Sequence, residues 1–256
     1  MCTVLFIPQR DKIFFASLRD ENPQRPKALL PNIQLCSNSK ENVNLDAAEL
    51  ILSPSDALAG GTWVGVNNLG HTIILLNGGF KNHIRQSKYR HSRGMIVTNL
   101  LSTPRPIESF EQMDLHDIEP FTLVVWVNQS LNQLVWDGLD KTIQSLPIDK
   151  SYIWSSSTLY RPEVKEHRKA LFDNWMKAEK NITEYALLDF FKSYTDSHNG
   201  FIMNRSEQIK TLSFTFIELD AMNNAKMQYC ELENPVVSFE LSAINVQSMR
   251  RLIAQS

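Results

Sequence analysis

The sequence predicts an α+β fold, either two stacked antiparallel sheets covered by helices or another α+β arrangement of the same elements. Three observations lead there. β-branched and aromatic runs come in pairs joined by short polar or glycine turns, which is antiparallel connectivity. Segments with helical spacing come in blocks between the strand groups, which a strictly alternating βαβ fold would not give. The 256 residues, 43% hydrophobic and 21% charged, have the make-up of one large globular domain spanning 1–256.

The elements follow in order. Thr3-Val4-Leu5-Phe6-Ile7 opens the chain as a strand, and residues 12–18 form a second, joined as a hairpin through Gln9-Arg10-Asp11. Residues 22–50 hold Pro23, Pro26, Pro31 and many asparagines and read as surface loop. Residues 62–67 and 72–77 are strands around a turn at Asn68-Leu69-Gly70, and residues 95–101 form a short helix. Residues 121–127 and 134–136 make another strand pair, and 152–155 a short strand. The period then changes. Val164, Leu171, Trp175 and Met176 give residues 161–180 a helical face, and residues 183–194 form a second helix with Thr183 as N-cap. Residues 212–219, 227–232 and 236–241 return to strand, and residues 245–253 form a terminal helix.

Composition excludes several functions. A net charge of −2 argues against a general nucleic-acid binder. Three cysteines are too few for a disulfide framework and suit a reducing compartment. The start lacks a basic segment before its apolar run, and no apolar stretch approaches the ~18 residues of a membrane span. Cytoplasmic residence is therefore the expectation, with no nucleic-acid partner and no membrane span.

Two features carry chemistry. Cys2 becomes the first residue if Met1 is removed, and then bears both a thiol and a free α-amine. The amine titrates near 8 and the thiol near 8.5, so the amine can take the thiol proton directly or through water. The competing reading is an inert cysteine at the start of a strand. The second feature is glycine: of nine in the chain, Gly60, Gly61, Gly65, Gly70, Gly78 and Gly79 crowd into one stretch. Asn77 stands before the last pair, where its amide could serve as an oxyanion donor; Asn77-Gly78 is equally a strong turn dipeptide. Leu18-Arg19-Asp20-Glu21 closes the second strand. The first hairpin brings Arg19 near residue 2, although three charges after an apolar strand also suit a solvated turn.

These residues resemble a known family. Met1-Cys2-Thr3, Leu18-Arg19-Asp20-Glu21 with Arg25-Pro26, and Gly60-Gly61-Thr62-Trp63-Val64-Gly65-Val66-Asn67 are similar to the NRDE family, related to Transport and Golgi organisation protein 2. His91-Ser92-Arg93-Gly94-Met95 resembles its Arg-Gly segment before a helix, and Ser155-Ser156 with Pro162 its Ser-Asn segment before a long helix. The resemblance implies a four-layer αββα sandwich, the N-terminal-nucleophile hydrolase fold. It implies Cys2 as nucleophile, Arg19 and Asp20 as residues ordering the N-terminus, and Asn77 as oxyanion donor. Trp63, Asn67, Arg93 and Ser156 are the expected substrate contacts. The implied reaction is hydrolysis of a linear amide through a thioester. Three positions depart from the pattern: Leu18 replaces an asparagine, Ser156 replaces another, and Ile209-Lys210-Thr211 lacks the late-strand arginine.

Residues 81–93 carry Lys81, Arg85, Lys88, Arg90 and Arg93 with no acid. They read as a solvated loop or as a positive rim for an anionic small molecule. His83 and His91 lack a third ligand at credible spacing, so no metal and no cofactor is expected. Trp63, Trp126, Trp136, Trp154 and Trp175 fall on strand or helix patterns and read as core, as do Cys36 and Cys230 as inert thiols. Two functions remain open: a cysteine amidohydrolase, or a haem- or acyl-ligand-binding carrier on the same fold. The pocket walls are expected from the segments 22–50 and 78–92.

Overall fold

A computed structural model describes residues 3–36, 50–205, 208–232 and 234–242. Fourteen strands form two seven-stranded sheets among these residues, and every strand pairing is antiparallel. The strands of the first sheet are β1 (Thr3–Pro8), β2 (Lys12–Glu21), β10 (Tyr152–Ser155), β11 (Asn204–Arg205), β12 (Ile209–Asp220), β13 (Ala225–Glu231) and β14 (Val237–Leu241). Their order is β10-β1-β2-β12-β13-β14, with β11 on β12. The second sheet runs in chain order: β3 (Leu29–Leu35), β4 (Leu50–Ser55), β5 (Val64–Asn67), β6 (Thr72–Asn77), β7 (Phe121–Val127), β8 (Ser130–Trp136) and β9 (Lys141–Leu146).

The unbroken apolar run of β1 has a physical reason. Val4 and Phe6 enter the core between the sheets, whereas Leu5 and Ile7 enter a second core beneath the helices. A strand covered on both faces needs no polar alternation. Between the sheets, the Phe6 ring lies 5.9 Å from Trp126, and Trp154 Nε1 donates to Gln133 Oε1 at 2.7 Å. On the outer face of the first sheet, helices α3 (Pro162–Ala178) and α4 (Glu184–Ser193) bury Phe172, Leu187 and Phe191 against Leu18, Phe214 and Phe216. Helices α1 (Arg93–Leu101) and α2 (Pro106–Gln112) cover the second sheet, with Phe110 edge-on to Phe121 at 6.2 Å. The result is the expected αββα layering. Thr183 caps α4 as expected, its Oγ1 accepting from Ala186 N at 3.1 Å.

Several boundaries differ from the sequence reading. The segment read as loop at 22–50 contains β3 and the first residue of β4. Pro31 is tolerated because β3 is an edge strand, with a register irregularity between Leu29 and Asn32. Pro54 falls beyond the pairing of β4 with β5, which involves only Ile51 and Leu52. β9 escapes the sequence reading because an edge strand whose only apolar residues are Ile143 and Leu146 gives a weak alternation. α2 announces itself only by Pro106 at its first turn. β2 runs on to Glu21, so Arg19 and Asp20 lie within a strand and not after one, held by pairing to Ser213 and Thr211 of β12. Met1, Cys2 and the expected helix at 245–253 lie outside the described residues. Among the described residues, no helix is long and apolar enough to cross a membrane.

Candidate active site

A cleft of about 830 Å³ opens where β2, the β6 end and the β5 lead-in meet the N-terminus of α1. Strand alternation divides Arg19 from Asp20. Arg19 lines the cleft, 5% exposed, with its guanidinium 4.3 Å above the Trp63 ring and one donor 3.0 Å from Asp56 Oδ2. Asp20 faces the opposite side of β2 and does not line the cleft. There it accepts from Thr211 Oγ1 at 2.6 Å and from Tyr160 OH at 3.2 Å. Thr211 thus stands under Asp20 in the segment that lacks the family's arginine.

Asp56 is the residue the sequence reading missed. It follows β4 and receives a two-pronged bond from Arg25, Nε to Oδ2 at 2.8 Å and Nη2 to Oδ1 at 3.1 Å. Main-chain N–H groups of Leu58 and Ala59 also donate to it, at 3.0 and 2.9 Å. Burial favours its neutral form. The bonds from Arg25 and Ala59, the Arg25 charge and the Leu58 N–H outweigh this and hold the carboxyl below the usual carboxylate range. The available signal was local: an aspartate two and three residues before N–H groups of a turn that ends Gly60-Gly61.

The glycine block has two mechanical uses. A Cβ on Gly61 would lie 2.4 Å from the main-chain carbon of Gly94, so the β5 lead-in and the start of α1 cross in contact. This crossing sets Arg93 beside the cleft, where it pairs with Glu119 at 3.3 Å and donates to Pro120 O at 3.2 Å. Gly78 has φ +85°, and a Cβ there would lie 2.2 Å from Ser157 Oγ. The turn therefore seats the β6 end against the segment after β10. Asn77 lines the cleft, and its side chain has no hydrogen-bond partner among the described residues.

Two expected substrate contacts are corrected. Ser156 is 1% exposed, and its hydroxyl donates to Asn77 O at 2.8 Å, so it supports Asn77 from behind the cleft wall. Asn67 is fully buried at the far end of β5. Its Nδ2 donates to Leu101 O at 2.9 Å, and its Oδ1 accepts from Leu69 N and His71 N at 3.0 Å each. It fastens its hairpin to α1 and is not among the residues that line the cleft. Trp63 is both core and cleft wall, being 5% exposed beneath Arg19.

The basic segment forms one wall, contributing His83, Arg85, Lys88 and His91. It is not a free cationic rim, because Glu119 pairs with His83, Arg85 and Arg93 and Asp114 pairs with Arg90. Five cationic side chains (Arg19, Arg25, Arg85, Lys88, Arg93) and three carboxylates (Glu21, Asp56, Glu119) line the cleft. Among the described residues of the 22–50 segment, only Arg25 lines the cleft. Cys36 and Cys230 are buried away from it, and burial pushes the Cys230 thiol up.

The family described as Transport and Golgi organisation 2 matches residues 1–248. No curated protein matches the sequence. Solved structures share its fold at low identity. An N-acylethanolamine-hydrolyzing acid amidase ortholog from Caenorhabditis elegans is 11% identical with a TM-score of 0.52, over 84% of this chain and 92% of that one. Penicillin V acylase from Agrobacterium tumefaciens is 11% identical at TM-score 0.55, over 95% and 88%. A variant of conjugated bile acid hydrolase from Clostridium perfringens is 11% identical at TM-score 0.56, over 93% and 92%. All three have the N-terminal-nucleophile hydrolase fold.

Proposed function

The chain belongs to the Transport and Golgi organisation 2 family, and from that premise we propose that it is an N-terminal cysteine amidohydrolase acting on a linear amide of a small, anionic substrate. The observation that carries the reading is the register around the start of β1. Thr3 pairs with Leu18 on one side and Ser155 on the other. The next positions along those neighbours are Arg19, in the cleft, and Ser156, bonded to Asn77. The proposed reaction brings the nucleophile to these two positions.

With Met1 removed, the Cys2 amine takes the thiol proton and sulfur attacks the amide carbonyl. Asn77 donates to the oxygen as it gains charge. The C–N bond breaks, the amine product leaves with the proton, and a thioester forms on Cys2. Water, deprotonated by the same amine, then attacks the thioester, releasing the acid and restoring the thiol. Arg19 and Asp20 order the chain start from opposite faces of β2. Trp63 and Arg93 contribute cleft wall beside the substrate.

The fold neighbours suggest the test panel: an N-acylethanolamine, a conjugated bile acid and penicillin V. The expected result is an intact mass lacking Met1, a thioester trapped on Cys2 with at least one amide, and loss of turnover in Cys2→Ala. Retention of Met1, or equal turnover in Cys2→Ala, overturns the reading. Saturable haem or acyl-ligand binding that is unchanged in Cys2→Ala, without turnover, would establish a carrier instead.

A further inference from the structure

The charges that line the cleft divide into two unequal halves. On the β2 side, Arg19 and Arg25 are offset by Asp56 and Glu21. Both arginines bond Asp56, and Glu21 Oε2 lies 4.0 Å from Arg25 Nε. That half sums to zero. On the side built by the basic segment and the start of α1, Arg85, Lys88 and Arg93 share a single carboxylate, Glu119. Glu119 lies 3.3 Å from Arg93 and 3.7 Å from Arg85, and Lys88 has no ion-pair partner among the described residues. With His83 and His91 neutral, this wall carries three positive charges against one negative, an excess of two.

The wall is held in place along its length. Lys81 O accepts from Ser157 Oγ at 3.3 Å, Gln86 N donates to Tyr89 OH at 3.0 Å, and Arg90 N donates to Asp117 O at 2.8 Å. The Arg93 and Glu119 side chains are only 16% and 13% exposed, so water screens them less than a surface pair. Ser92 and Gly94, at the start of α1, line the same wall. A helix start carries partial positive charge, and no acid in the first turn of α1 offsets it. Asn82 and Gln86 add uncharged donors.

We propose that this wall is the subsite for a phosphomonoester group of the substrate, its two negative charges matched by the two uncompensated cations, with the reacting amide toward the neutral half at Arg19 and Asn77. A carboxylate or a sulfate would supply one charge, whereas a phosphomonoester carries about −1.5 to −2 at pH 7. Arg93 and Arg85 offer planar forks to phosphate oxygens, and Lys88 adds a mobile point charge. Glu119 holds both arginines at the wall and opposes any anion too weakly charged to compete with it. The proposal rests on the amidohydrolase reading for its reaction, but its test is read as binding, without turnover.

The probes are phenyl phosphate and phenyl sulfate, which share size and tetrahedral shape and differ by about one charge at pH 7.5. Each is titrated into the full chain by isothermal calorimetry at low salt. Phenyl phosphate should bind about fivefold or more tightly, and the ratio should fall toward one at pH 5, where both probes are monoanions. Lys88→Gln should weaken phenyl phosphate about threefold, the worth of one partly screened charge. Glu119→Gln removes the opposing carboxylate and should tighten it about threefold. A purely scaffolding Glu119 predicts the opposite sign, because Arg85 and Arg93 lose their support. Equal affinity for the two probes at pH 7.5, or no saturable binding of phenyl phosphate, overturns the proposal, as does weaker binding in Glu119→Gln. If that variant does not fold, unchanged affinity in Lys88→Gln, at an exposed side chain, overturns it instead. Failure of the amidohydrolase reading is a separate result, seen as retained Met1 or turnover independent of Cys2.

Discussion

Removing the Asp56 carboxylate should cost the protein far more than its turn position suggests. Asp56 accepts from Arg19, twice from Arg25, and from the N–H groups of Leu58 and Ala59. Asp56→Ala leaves the Arg19 guanidinium, whose side chain is 6% exposed, without its carboxylate. Breaking a buried pair in this way costs about 3–5 kcal/mol. The Asp56 side chain is itself 14% exposed, so water screens part of the pairing and the lower end applies. At about 2–4 °C per kcal/mol for a chain of this size, about 3 kcal/mol lowers Tm by about 6–12 °C. The pH dependence has a definite sign. The folded carboxyl lies below its ordinary value, so its contribution is complete above about pH 4 and is lost as pH falls through the depressed folded value. Differential scanning calorimetry of both proteins from pH 3 to 7 measures this. The gap in Tm should be widest at neutral pH and narrow toward pH 3. A gap that stays under about 3 °C at pH 7, or that widens in acid, refutes the reasoning.

Other substitutions test separate parts of the account. Gly61→Ala forces a Cβ to 2.4 Å from Gly94 and should destabilise by about 1–3 kcal/mol or more, measured by chemical denaturation. Asn67→Ala strands Leu101 O and the Leu69 and His71 N–H groups, and should cost about 2–4 kcal/mol while leaving ligand affinity in the cleft unchanged; a selective loss of affinity would restore it as a contact. Asn77→Ala should lower kcat by about 10²–10³ with little change in Tm, because its amide has no protein partner among the described residues; an unchanged kcat removes it from the oxyanion role.

The legible parts of the fold were those whose residues satisfy one local rule. β1, β6 and β7 are covered on both faces and read directly as apolar runs. The edges were not legible: β3 carries a proline and β9 is polar, because an edge strand's identity comes from the neighbour it pairs with. The site divides in the same way. Arg19, Trp63, Asn77 and Arg93 stand in recognisable motifs, and all four line the cleft. Asn67 and Ser156 stand in the same motifs but serve the scaffold, since a motif is kept for what holds a loop as well as for what touches a ligand. Glu119 had no local signature, and the local signal of Asp56 marks only its turn. Their charged partners lie 26–37 residues away in sequence, and only the packed sheets bring them together.

The strand order of the first sheet also governs when the chain start becomes enclosed. The second sheet draws on residues 29–35 and 50–146 in sequence order and can assemble as it emerges. The hairpin of β1 and β2 must instead wait for β10 at Tyr152–Ser155 and β12 at Ile209–Asp220. At about 5–20 residues per second, some 200 residues of synthesis leave the first residues without their flanking strands for roughly 10–40 s. Of the two sheets, the one that holds the first hairpin therefore closes last, although that hairpin is the first part of it to be made.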